Sequence, residues 1–117
     1  MPVRKSKLYN VFGEIIYTLA IADGIVQREE IQTIKNALCH HEWANGIMWS
    51  FDYESKKQRN TANVLKQALN VLKENGPSEE YHFLINLLKQ VAESSNGIDA
   101  YEDAIISEVE EQLKDLN

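Results

Sequence analysis

Asp23, Glu29 and Glu30 bring three carboxylates to one short stretch of chain, and hard oxygen ligands of this kind suit Ca²⁺ or Mg²⁺. A second, weaker set, Asn96, Asp99, Glu102 and Asp103, repeats the pattern near the C-terminus. Neither stretch is an EF-hand, because the ligand at every second residue and the closing glutamate are missing. Both sets also have an ordinary structural use. Asp23 can accept hydrogen bonds from exposed amides of its turn, while Glu29 and Glu30 complement the dipole of a following helix. Asp99 with Glu102 three residues on makes a capping box. This helix-terminus chemistry is the stronger reading of both sets, with a cation site as the alternative.

Cys39-His40-His41-Glu42 raises the question of zinc. Neighbours on a helix point roughly 100° apart, so at most two of the four can face one ion. The remaining histidine is His82, and no second cysteine completes a tetrahedral set. Cys39 as a nucleophile lacks a marked oxyanion hole and an orienting acid. No motif sets a nucleophile, a base and an oxyanion stabiliser in recognisable spacing, so an enzyme is not expected.

A third constellation is aromatic. Trp43, Met48, Trp49, Phe51 and Tyr53 fall within eleven residues. Trp43, Ile47, Met48 and Phe51 share a helical face suited to packing inward. Trp49 and Tyr53 lie four apart on another face, where at least one should be exposed or line a groove. Trp, Tyr and Met are enriched at interfaces, which makes Trp43, Trp49 and Tyr53 the candidate partner surface. Lys56, Lys57 and Arg59 read as a solvated helix start.

Helices must position these groups. Leu8, Val11, Phe12, Ile15, Ile16 and Leu19 recur three and four apart, the pattern of one buried stripe. That helix should run to about Ala22, with Gly24 supplying the left-handed residue that ends it. Ile31, Ile34 and Leu38 mark a second helix starting near Gln27. From His40 to Tyr53 the helical spacing persists, but Asn45-Gly46 is a breaker pair and predicts a short or irregular helix. Residues 54–60 read as a solvated connection or first turn. Val64, Leu65, Ala68, Leu69 and Leu72 mark the next helix, stopped by Gly76-Pro77. Ser78 can cap another, with Tyr81, Leu84, Leu87, Leu88 and Val91 on its inner face. The last helix has the stripe Ile105, Val109, Leu113 and Leu116. No alternating strand pattern appears. The fold class is therefore all-α, a compact bundle of about six or seven helices with two similar helix–turn–helix corners. If both corners close onto one core, Ile25 and Ile98 should point inward side by side.

Composition narrows the function classes. At 117 residues the chain has room for one domain, residues 1–117, with enough length to bury a core. The formal charge of -6 argues against nucleic acid, since phosphate binding needs a basic face. One cysteine allows no internal disulfide and makes a reducing compartment the default. No apolar run approaches the ~20 residues of a membrane span, and the N-terminus is unlike a signal peptide. The cytoplasm is the expected location.

The stretch Ala20-Ile21-Ala22-Asp23-Gly24-Ile25-Val26-Gln27-Arg28-Glu29-Glu30 resembles the signature of the TerB-like family, the tellurite-resistance-associated helical domains. The shared form is a small-residue helix end, Asp-Gly, two apolar-leaning positions and an acidic pair opening the next helix. Ala92 to Asp103 resembles the family's second copy. It departs in two ways: Asn96 stands where that copy commonly has Asp, and the register shifts by about a residue, so Glu102 or Asp103 matches Glu30. The resemblance implies an interaction module of stress-response and tellurite-resistance systems. Similar domains occur attached to membrane-anchored J-domain co-chaperones, and the resemblance further implies a protein partner, recruitment to a membrane-associated partner, and Ca²⁺ or Mg²⁺ at the acidic turns. No catalytic chemistry follows from it. The alternative is a small-molecule or metal-ion binding protein whose helices enclose the site.

Overall fold

The computed structural model describes residues 5–22, 24, 26–57, 60–76, 78–94 and 100–114. Among the described residues six helices follow in order: α1 (Lys5–Ala20), α2 (Arg28–Leu38), α3 (Ala44–Lys57), α4 (Thr61–Asn75), α5 (Glu80–Glu93) and α6 (Ala100–Lys114). No strand occurs among the described residues. The Cα radius of gyration is 12.9 Å, close to the ~13 Å of a packed chain of this length.

The expected stripe of α1 is buried, and so are Gly13, Tyr17, Thr18 and Ala20, so from Val11 onward only Glu14 is not fully buried. A helix apolar on nearly every side belongs inside the bundle, and α1 packs on α3, α4, α5 and α6, most extensively on α3. Burial of each large side chain such as Phe12, Ile15 or Leu19 contributes roughly 1.5–3 kcal/mol. Gly24 ends the first corner as expected, with φ 98° and its N–H donating to the Ile21 carbonyl at 2.8 Å. The chain then enters α2, which buries Ile34 and Leu38 and packs against α5.

The third helix corrects the sequence reading. Residues 44–57 form one regular helix, with Asn45-Gly46 inside its first turn. A glycine there gives up little, and Gly46 lies under α1: an added Cβ would come within 3.3 Å of the Tyr9 Cβ. The closest point of the crossing is Gly13 of α1. A Cβ at that position would strike the Ile47 carbonyl oxygen and lie 2.7 Å from the Ser50 Cβ. The Ser50 hydroxyl donates to the Asn10 carbonyl at 2.5 Å across the same contact. Residues 54–57, expected in a connection, form the last turn of α3, and Glu54 is buried there.

Asn60 caps α4 by accepting from the Asn63 N–H at 3.1 Å. Gly76, φ 81°, closes it by donating to the Leu72 and Lys73 carbonyls. The Ser78 hydroxyl accepts from the Glu80 N–H at 3.2 Å, the capping role expected of it. Tyr81 pins this corner: its hydroxyl lies 2.6 Å from the Gly76 carbonyl and 3.0 Å from that of Leu72, and it accepts from Asn75 Nδ2 at 3.0 Å. In α6 the buried stripe is Ile106, Val109 and Leu113. Ile105, expected in that stripe, is only half-buried, and Ile106 takes its place beside Val109 and Leu113. Leu116 lies outside the described residues.

Candidate functional site

At the first acidic turn, Glu30 is the third residue of α2 and only 1% exposed. Its Oε1 accepts from the Gln27 N–H at 2.7 Å, satisfying an amide that the helix start leaves without an intrahelical partner. Glu29, one residue earlier, points to solvent. At the second turn, Glu102 is the third residue of α6 and 4% exposed, whereas Asp103 is exposed. Helix position and burial together make Glu102, rather than Asp103, the counterpart of Glu30. Asp23, Asn96 and Asp99 lie outside the described residues, as do Ile25 and Ile98. Among the described residues no group of three His, Cys, Asp or Glu side chains is arranged to hold a metal ion.

The Cys39–Glu42 stretch is a structural corner. Cys39 and His40 are exposed, while His41 stacks on Phe83 of α5 at 4.5 Å between ring centroids. His41 Nδ1 accepts from the Trp43 N–H at 3.1 Å, and Trp43 Nε1 donates to Glu42 Oε1 at 3.1 Å. The Trp43 ring lies 4.0 Å from Tyr9 and edge-on to Phe12 at 5.6 Å. Burial, followed by the nearby charges of Glu42 and Glu80, pushes the Tyr9 hydroxyl pKa up. Trp43 is 4% exposed, so it belongs to the core and not to a surface. The α2–α3 connection is pressed between α1 and α5, which draws the indole inward.

Trp49 and Tyr53 stand on the outer face of α3, 60% and 41% exposed. Four residues apart, they sit one turn above the other and stack, with ring centroids 5.3 Å apart and planes 17° from parallel. Lys57, a further turn on, places Nζ 5.4 Å from the Tyr53 ring centroid. The result is an indole, a phenol and an ammonium group in one row. Intramolecular stacking holds the aromatic pair in a shared orientation.

Two features escaped the sequence reading. One is Gly13, whose signal was a lone glycine inside an apolar helical stripe. The other is a pair of clefts of about 390 and 330 Å³ beside α4 and α6, both open to solvent. Among the described residues every buried side-chain nitrogen or oxygen has a hydrogen-bond partner. No described helix is long and apolar enough to cross a membrane.

Compared with protein families, residues 14–114 match the family described as tellurite resistance protein TerB. Comparison with curated proteins and with solved structures gives no match.

Proposed function

The chain belongs to the TerB tellurite-resistance family, and from that premise we propose that it is a non-enzymatic, cytoplasmic protein-interaction module of a stress-response system. The observation that carries this reading is the exposed Trp49–Tyr53 stack on α3. Large aromatic side chains left in water cost apolar exposure, and their common use is as anchors in a partner's pocket. The acidic turns add a second element, Ca²⁺ or Mg²⁺ held by Asp23 with Glu29 and, at the weaker second turn, by Asn96, Asp99 and Asp103. The buried glutamates Glu30 and Glu102 serve the helix starts in this reading. The site enclosed between helices is the weaker alternative, because the clefts beside α4 and α6 open to solvent.

The test is quantitative affinity capture with the wild-type chain and Trp49→Ala. Proteins retained by the wild type and lost with Trp49→Ala, at unchanged thermal stability, support the reading. Identical recovered sets would remove α3 as the interaction surface. Calcium and magnesium titration followed by amide NMR tests the cation element, which requires shifts confined to the two acidic turns.

A further inference from the structure

Helices α4 and α6 carry matching stripes of which only Leu69 is buried in the core. On α4, Ala62, Lys66, Leu69 and Lys73 fall at i, i+4, i+7 and i+11, and on α6 Tyr101, Ile105, Glu108 and Gln112 fall at the same spacing. The helices run in the same direction along this face. Ala62 shares the 330 Å³ cleft with Tyr101 and Ile105, while Lys73 shares the 390 Å³ cleft with Glu108 and Gln112. Ala62 and Leu65 line both clefts, which therefore form one trough. Eleven residues at 1.5 Å rise make it roughly 17 Å long. Its floor is apolar, built on Leu65, Leu69 and Ile105, and Tyr101, 69% exposed, stands at one mouth. Its two rims carry opposite charge: Lys66 and Lys73 along α4, and Glu108 along α6, where Gln112 Nε2 donates to Glu108 Oε1 at 3.1 Å.

We propose that this trough docks an amphipathic helix of a partner protein, about three turns long, with carboxylates on its α4 flank and a basic residue on its α6 flank. Side chains spaced three and four apart on such a helix fill a trough between two parallel helices as a ridge fills a groove. The charged rims select the occupant. An acyl chain with an anionic head would meet the lysines but leave Glu108 unmatched, whereas a helix with one acidic and one basic flank matches both rims in one orientation. None of the lining residues is on α3, so this site stands or falls separately from the Trp49 surface.

The probe is a synthetic peptide of about fourteen residues, with leucines at the trough spacing, glutamates on one flank and lysines on the other. Titrated into isotope-labelled protein, it should shift amides of α4 and α6 and leave those of Trp49 and Tyr53 unmoved. A peptide with lysines on both flanks should bind about tenfold more weakly. Ala62→Arg, at an exposed position, should abolish binding without loss of fold, and the combined Lys66→Glu, Lys73→Glu variant should prefer the all-lysine peptide. Equal affinity for the two peptides, shifts centred on α3, or no binding would overturn the proposal. So would a trough that responds to fatty acid but not to peptide, or that is covered by a second copy of the chain as concentration rises.

Discussion

Glu29 and Glu30 are adjacent in sequence and opposite in environment, which separates two uses of a carboxylate at a helix start. Glu30→Ala removes a buried charge-assisted hydrogen bond and should cost about 1–3 kcal/mol in chelator-treated buffer. Glu29→Ala, at an exposed position, should stay within about 0.5 kcal/mol by urea denaturation. Equal losses would contradict the capping role assigned to Glu30. Tyr81 makes the pH dependence readable. Burial lifts its pKa above the ordinary 10.0, and the Asn75 hydrogen bond offsets this only in part. Above pH 10 the unfolded chain loses that proton while the folded chain keeps it, so stability falls as pH rises. Tyr17, raised by burial and then by Glu54, adds to the same alkaline limb. Tyr81→Phe should flatten that limb, measured as the pH at which tyrosinate absorbance and helical circular dichroism change together. An unaltered alkaline profile would mean that this hydroxyl carries none of the dependence.

At the scale of elements, the α1–α3 crossing is governed by a missing side chain. Gly13→Ala gains helix propensity of about 1 kcal/mol, yet the new methyl meets the Ile47 carbonyl and the Ser50 Cβ. Backbone cannot yield as a flexible side chain does, so overpacking should win and net stability should fall by about 1–3 kcal/mol in thermal melts. A stabilised variant would show that the helices can separate without loss. The two tryptophans of the α2–α3 region make a sharper contrast. Trp43→Ala should cost about 3–5 kcal/mol because its ring is enclosed by Tyr9, Phe12 and His41. Trp49→Ala should change stability by less than about 0.5 kcal/mol, since its principal contact is the exposed ring of Tyr53. Similar losses at both positions would make Trp49 part of the core and end its assignment as an anchor.

For the whole molecule, the central position of α1 has a consequence for cooperativity. It packs on α3, α4, α5 and α6, and the buried apolar side chains other than Val64 form one cluster that includes members of all six helices. Removing α3, α4, α5 or α6 exposes part of α1, and removing α2 exposes part of α5, so the chain should unfold as one unit. Trp43 fluorescence and helical circular dichroism should then give the same denaturation midpoint. Separate midpoints would indicate two independently stable parts and refute the organisation as a single domain.

Local pattern carried the sequence reading far, and packing decided the remainder. The stripe Leu8–Leu19, the stop at Gly24, the cap at Ser78 and the break at Gly76 follow from short-range rules, since helix period, capping and left-handed glycine depend on residues a few positions apart. These sufficed for an all-α bundle, and the Ala20–Glu30 stretch sufficed for the TerB resemblance that the family match bears out. The sequence also separated the inner from the outer face of α3, which left Trp49 and Tyr53 in solvent. Tertiary contact overrode local preference elsewhere. Asn45-Gly46 does not break α3 because the helix starts there, with Gly46 close beneath Tyr9 of α1. Glu54, read as solvated, is buried at the end of the same helix. Which acid of the second turn corresponds to Glu30 was open in sequence. Burial of Glu102 decides it, because solvent exposure depends on which face of α6 meets the core. The trough between α4 and α6 has the same origin: each stripe is visible alone, but only the parallel placement of the two helices makes them the walls of one site.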